Sequence, residues 1–549
     1  MQEHIQQALD NLQNLADNTT QILQDLNLLE TSSISEKLEQ IKQEAIEVVS
    51  DLPQIRDTQT LLQEVDTKIQ EAKEQIQQNL AGQSQSLQEL KEDAKNSITQ
   101  ALNTAKEELR TQLNKKTKRL PDVKTPSAQN FAMWLEGNDI FVLGDKTSSG
   151  GVGGNGRGGF ADSYGGLPTR VAIPSNENIS KLYAFNKNFF AVCEDKRNVY
   201  VWGENGGSGL LGVGNNAFVY TPKKITLPAE VEKIHCVDFV TNESYATTMF
   251  LLKNGNLLGI GKNGAGHLGT GNNIDSSQPI STLFANIKDF CVFNGNYSYS
   301  TNGYFSTFAI DTQGRLFVCG ANTYGQLALG NTTNINTPTH NASLVYNASR
   351  EYVPIKKVFG FCATSAIIAN DNTAWLSGYN GYRHLTTGDT TNKNRFVRLT
   401  NTDNQTLENV KEIILDYNCS FAILENGDLY AWGLGTYGYG GTTTTANQKA
   451  HKVLEGVESI KCMQGIDGSY NKHCFIAKKT DGTLWAFGNT PSYFGFSGES
   501  AFKQFRQIDI GEVQDFYCNY TGVIVLKDNE IYAGNPLVDS HTLQRITRS

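Results

Sequence analysis

Cysteine is missing from the first 190 residues, tryptophan from the first 120, and proline from the first 120 except for Pro53. Glycine is also scarce until about residue 136, although the chain holds 51 of them. Such a skew points to two architectures in one chain. The nine cysteines all come later, are odd in number and form no Cys-x-x-Cys pair, which argues against a disulfide framework or a zinc cluster. No window approaches the roughly 18 apolar residues that a membrane-spanning helix needs, so none is expected, nor any membrane insertion. The start, MQEHIQQALDNL, has neither a basic segment nor an apolar core, so no secretory signal is expected and folding in the cytosol is. Positive charge is in deficit as well. With 47 Lys and Arg against 56 Asp and Glu the net charge is −9, a balance that makes a poor generic binder of nucleic acid or anionic lipid. Hydrophobic content of 39% suffices for an ordered core.

Residues 1–120 are rich in Gln, Glu, Leu, Ala and Lys, all good helix formers. Seam positions step by four and three through Ile5, Leu9, Leu12, Ala16, Thr19, Leu23 and Leu26, through Ile34, Leu38, Ile41, Ala45, Val48 and Leu52, and through Leu62, Val65, Ile69, Ala72 and Ile76. That alternation is the a/d seam of a coiled coil, and a narrow seam is not buried by one helix alone. Breaks at Thr31–Ser33 and Pro53, polar Asn79 and Gln83 in the seam, and a later drift in spacing read as register shifts. The pattern fits an oligomeric stalk, most simply a trimer. A self-folded helical bundle breaking at Ser33, Pro53 and Gly82 is the alternative. The basic run Lys115–Arg119 suits a helix C-terminus, and Pro121 would stop the helix. Residues 121–130 then read as a linker.

From 131 to 549 the chain repeats itself. Eight segments share a strand, a tight turn and a second strand, the last ending at Gly144, Gly203, Gly261, Gly320, Gly378, Gly433, Gly488 and Gly534. The turns carry Asn254-Gly255, Gln313-Gly314, Asn426-Gly427 and Asp481-Gly482, dipeptides suited to hairpins that need positive φ. The 46 to 59 residues between successive terminal glycines match one blade of a β-propeller. Cys236, Cys291, Cys362, Cys419, Cys462 and Cys518 recur near the end of a later strand in successive repeats, where a small buried residue is wanted and a free thiol serves as one. Cys474, beside His473, falls on an expected strand and needs no zinc.

A second signature follows several hairpins. It runs Asn205-Gly206-Gly207-Ser208 to Leu211-Gly212-Val213-Gly214, Asn263-Gly264-Ala265-Gly266-His267-Leu268-Gly269-Thr270-Gly271, and most clearly Asn322-Thr323-Tyr324-Gly325-Gln326-Leu327-Ala328-Leu329-Gly330. These residues resemble the regulator of chromosome condensation repeat family, whose pattern is WG-x-N-x-x-G-Q-L-G-x-G. The resemblance covers about three quarters of the chain and implies an all-β propeller behind an N-terminal α-helical coiled coil. Similar propellers have seven blades. Seven complete units are visible here, followed by a partial eighth that could close the ring by pairing with the hairpin of residues 131–144, so seven and eight blades are both open.

Catalytic chemistry finds no footing. The run Gly150–Gly159 has the spacing of a phosphate loop but neither a following helix nor a lysine, so it reads as a propeller loop. G-x-S-x-G and H-E-x-x-H are both missing, and eight scattered histidines assemble no triad. No cofactor, no metal and no enzymatic activity are expected. The loops after the hairpins instead hold Tyr164, Phe218, Tyr220, Tyr324, Tyr379, Tyr382, Tyr437, Tyr439, Tyr493, Phe494 and Phe496 among Asn, Thr and Gly. Aromatics among small polar residues make adaptable contact surfaces. Two functional readings result. In the first, a tail-fibre-like or other surface-binding appendage of a virion uses the stalk to trimerise. Its N-terminus docks onto a baseplate or other particle, and its propeller tip binds a host glycan or protein receptor, an analogy of architecture. In the alternative, a cytoplasmic propeller regulator or scaffold, such as an exchange factor for a small GTPase, binds a protein partner.

Overall fold

The computed structural model describes the chain from Lys118 to Ile546 apart from residues 121, 126–130, 145–167, 175–176, 186–187, 206–208, 239–245, 295–304, 342–351, 417–418, 434–446, 464–473, 490–500, 519–522 and 534–542. It also describes the helical residues Thr67, Asn96, Thr99 and Gln100. The heptad pattern and the choice between stalk and bundle lie outside these residues. Residues Met1–Thr117 and Lys118–Ser549 are separate units.

The second unit is an eight-bladed propeller: its described strands form eight sheets, seven of four strands and one of five. Blade 4 shows the plan. Its strands, Ile287–Asn294, Phe305–Asp311, Leu316–Gly320 and Ile335–His340, pair in chain order and antiparallel. The hairpin between the second and third strands turns at Gly314 (φ +80°), and Gly255, Gly427 and Gly482 take the same conformation in blades 3, 6 and 7. Where glycine is lacking, Lys196, Asn372 and Asn529 occupy the left-handed region instead. The glycine ending the third strand has a different duty. Gly320 sits at φ +103°, and a Cβ there would collide with the Phe305 carbonyl and stand 2.8 Å from the Cβ of His267 in the preceding blade.

Second strands such as Phe305–Asp311 and Cys419–Leu424 are buried along their whole length, whereas the fourth strand Ile335–His340 is only partly buried. A single sheet has two apolar faces and must cover both. Here each face meets the neighbouring blade, so the core is a chain of inter-blade seams. Phe293, Phe308 and Val318 meet Val358 and Ile367 between blades 4 and 5, and Ile368 and Leu376 meet Phe421's neighbours Ala422 and Leu424 between blades 5 and 6.

Blade 8 completes itself with Asp515–Cys518, Val523–Lys527, Glu530–Ala533 and Gln544–Arg545. It does not pair with the hairpin of Phe131–Glu136 and Asp139–Gly144, which forms blade 1 with Lys118–Arg119 and Thr169–Arg170. The seam is closed by side chains instead. The buried Tyr517 hydroxyl lies 2.6 Å from the Met133 amide, which donates to it, and Tyr517, Ile524 and Ile531 join Met133 and Trp134 in one core cluster. Lys118 adds its amide to Asn529 Oδ1 at 2.7 Å and its ammonium to Glu530. Residues 121–130, expected as a linker, contribute the strand Asp122–Thr125, which pairs in parallel with Ile179–Phe185 as the fifth strand of blade 2.

All nine cysteines are free, and all but the half-buried Cys462 are buried. Burial pushes the Cys291, Cys193 and Cys518 thiols up to about 12. Most of the cysteines that recur through the repeats sit on or just after the first strand of the next blade, as Cys236, Cys291 and Cys518 do, but Cys419 opens a second strand.

Candidate functional site

Because neighbouring strands are antiparallel, the loops after the first and third strands of every blade emerge on one face of the ring. The tight hairpin turns emerge on the other. The loop after the third strand carries the Asn-x-x-Gly signature, and its first residue explains why. Asn322 is buried, and its side chain is the hub of the loop: Oδ1 accepts from the Leu327 amide at 2.9 Å while Nδ2 donates to the Asn331 carbonyl at 3.1 Å. Its own amide donates to Asn334 Oδ1 at 2.8 Å. Asn263 and Asn380 repeat the pattern, taking Leu268 and Leu385 amides at 2.9 Å and donating to the Asn272 and Asp389 carbonyls at 2.9 Å. An asparagine supplies both a donor and an acceptor in one plane, which a buried loop with unpaired backbone groups requires.

The residue before the signature leucine locks the loop to the next blade. His267, Gln326 and His384 are buried there, and their carbonyls accept from Thr307 Oγ1 at 2.7 Å, Ser365 Oγ at 2.7 Å and Trp432 Nε1 at 2.7 Å. Loops fixed at both ends present their remaining side chains on a rigid base.

On that base the rims of blades 4 and 5 bring together three of the tyrosines singled out in the sequence. Tyr324 and Tyr379 meet edge to face with ring centres 5.4 Å apart, and Tyr379 meets Tyr382 in the same way at 5.7 Å. Tyr382 in turn stands edge-on to His384 at 6.2 Å, whose Nδ1 lies 3.0 Å from Ser420 Oγ. All three tyrosines are half-buried. Edge-to-face rings hold one another in place by their quadrupoles. Beside Tyr324 lies a hollow of about 270 Å³ that is also lined by Thr323, Thr332, Asn392, Lys393 and Arg395. Lys393 is paired with Asp389 at 3.0 Å, and this lysine, with the Thr391 amide and Thr387 hydroxyl, draws the Asp389 carboxyl down to about 2.

Of the other aromatic candidates, Tyr220 lies on the fourth strand of blade 2, 45% exposed and stacked on Phe218 at 6.0 Å, apart from the tyrosine cluster. Tyr164, Tyr437, Tyr439, Tyr493 and Phe494 lie outside the described residues, as do Phe496 and the Gly150–Gly159 run. Lys393, Arg395 and His384 were not singled out in the sequence. The signal that could have found them is the position of His384 in the Gln326 slot of the repeat, and the cations of Lys393-Asn394-Arg395 opening a fourth strand. A second hollow, about 240 Å³, lies between the fourth strands of blades 6 and 7 and is lined by Phe421, His451, Leu454, Phe487 and Phe505. Burial there draws the His451 imidazole below its usual range. Among the described residues no group of three or more His, Cys, Asp or Glu is placed to hold a metal.

The family model of the regulator of chromosome condensation (RCC1) repeat matches residues 313–359, which run from the blade 4 hairpin through its signature loop to the first strand of blade 5. Over 191 residues, 34% of this chain, the sequence is 28% identical to the E3 ubiquitin-protein ligase HERC2 of Homo sapiens. Over 318 residues, 58% of this chain, it is 23% identical to the Ultraviolet-B receptor UVR8 of Arabidopsis thaliana. These matches span 4% and 65% of the two relatives' own lengths. Among solved structures, human WBSCR16 is similar with a TM-score of 0.48 at 17% identity, covering 66% of this chain and 89% of that one. Prp20p of Saccharomyces cerevisiae gives 0.43 at 17% identity, covering 60% and 76%.

Proposed function

We propose that this eight-bladed propeller of regulator of chromosome condensation type is a non-catalytic regulator or scaffold. It holds a protein partner on the loop face of blades 4 and 5 and acts in the cytoplasm. The observation that carries the reading is the Tyr324–Tyr379–Tyr382 cluster, half-buried on loops pinned by Asn322 and Asn380 and opening beside a polar hollow. Rigid aromatic groups bordered by adaptable polar ones make up the centre and rim of protein-binding sites. The relative UVR8, named a receptor, suits the same reading. On this reading the N-terminal heptads join copies of the chain, so that modest contacts multiply. The tail-fibre reading, an analogy of architecture between a stalk with an all-β tip and a fibre, gains nothing from the relatives.

The test is a photo-crosslinking amino acid in place of Tyr382, in the full-length protein returned to its source cells. A discrete protein adduct is expected, and it should be lost when Tyr324 and Tyr379 are both changed to Ala. Binding to a glycan array or to intact foreign cells, with no protein adduct, would overturn the proposal.

A further inference from the structure

The hollow beside Tyr324 reverses the sign of its surroundings. The chain carries a net charge of −9, yet the lining of this hollow contains two cations and no carboxylate. Lys393, Asn394, Arg395 and Val397, all on the strand Lys393–Arg398, border the hollow. The two cations are not equivalent. Lys393 is engaged by Asp389 at 3.0 Å. Arg395 is exposed and forms no ion pair among the described residues. Its guanidinium lies against Gly330, so close that a Cβ at that position would stand 2.6 Å from Nη2. Gly330 is itself fastened to the same strand by its amide, 2.7 Å from the Asn394 carbonyl. A glycine at φ +81° therefore leaves room for the guanidinium beside the hollow. The hydroxyls of Thr323, Tyr324 and Thr332 and the amides of Asn392 and Asn394 supply further donors around it.

A planar fork of donors held against backbone, with no acid of its own, is the complement of a carboxylate. We infer that this hollow binds an acidic side chain of a partner peptide, bidentate to Arg395, with the tyrosine cluster packing the peptide's neighbouring residues. The inference rests on the protein-binding reading above and names the chemistry of what is bound.

The probe is a short fluorescein-labelled peptide of alternating glutamate and glycine, with a glutamine–glycine peptide as its uncharged counterpart, read by fluorescence anisotropy on the full-length protein. Binding of the glutamate peptide alone is expected, weakening as salt is raised. Arg395→Gln should weaken it about tenfold or more, as loss of a charge-assisted pair does. Arg398→Gln, at the end of the same strand, outside the lining of the hollow and stacked on Trp375 at 4.7 Å, should leave it unchanged. Thermal melts of both variants confirm that the fold is intact. Equal binding of both peptides, indifference to Arg395→Gln, or displacement by inorganic phosphate in preference to free glutamate would overturn the carboxylate assignment. The two ideas fail separately. An Arg395→Gln protein that keeps its Tyr382-site protein adduct removes the acidic anchor but leaves the partner, whereas absence of any adduct in the parent protein removes the partner itself.

Discussion

Replacing His267 with Gln should make the protein more acid-resistant. His267 is fully buried, its ring edge-on to Phe305 at 4.8 Å, and burial holds its imidazole down to about 3 from an ordinary 6.5. The native protein therefore keeps this ring neutral where an unfolded chain would protonate it. Below about pH 6.5 the unfolded state takes up a proton that the folded state refuses, so stability falls as pH drops from there toward 3. Between pH 7 and pH 5 the loss from this one group is about 2 kcal/mol, an appreciable part of the roughly 5–15 kcal/mol that separates folded from unfolded proteins. Blade 4 shows what fits instead. Gln326 occupies the same slot, accepting from the Tyr324 amide at 3.0 Å and reaching Ser306 Oγ at 3.4 Å. The corresponding groups in blade 3 are the Ala265 amide and the Thr247 hydroxyl, so a glutamine at 267 finds equivalent partners. In thermal melts of the full-length chain, the drop in midpoint from pH 7 to pH 5 should shrink by about 2 °C in His267→Gln. Resonances of the His267 ring should not titrate between pH 8 and pH 4.5. A His267 that titrates above pH 5, or a variant with the parent's full pH dependence, would refute the reasoning.

Asn322→Ala strips a buried loop of both its anchors, the bonds to Leu327 and Asn331, and should cost about 2–4 kcal/mol, read by denaturant melts. Asn322→Asp should not recover the loss, because the oxygen that replaces Nδ2 would face the Asn331 carbonyl at 3.1 Å, acceptor against acceptor. None of the nine thiols should react with a thiol reagent in the folded protein at pH 8, because all are buried or half-buried and burial keeps the thiolates of Cys193, Cys291, Cys319, Cys419, Cys462, Cys474 and Cys518 scarce, and all nine should react once it is unfolded. A thiol that reacts within seconds in the native state would count against the packing described.

The hairpins of the ring were legible because their chemistry is local. Asn-Gly and Asp-Gly turns and a glycine forced to φ near +100° recur in sequence whatever their neighbours do. Tyr324, Tyr379 and Tyr382 were legible for the same reason, each following a recognisable strand. What escaped was set by distance. Lys118–Arg119 and Asp122–Thr125 join sheets through backbone pairing that leaves no apolar period to read. Ring closure depends on Tyr517 meeting Met133 across 384 residues, so the expected strand exchange at the seam could not be corrected from sequence. Arg395 looks like any solvated cation until Gly330, from the preceding blade, is placed beneath it.

Self-sufficient blades have a consequence for how such a ring can change. Apart from the strand Asp122–Thr125, which laces the first blade's stretch of chain to the second blade, each sheet is drawn from one uninterrupted length of sequence. Genetic gain or loss of a single unit after blade 2 therefore inserts or removes a whole wedge, with no half-sheet stranded on either side. New termini cut at a tight turn such as Asn426-Gly427 would divide one blade. Termini cut between Gln507 and Asp515, where one sheet ends and the next begins, would divide none. A circularly permuted chain opened there should fold, with the tyrosine rim of blades 4 and 5 undivided.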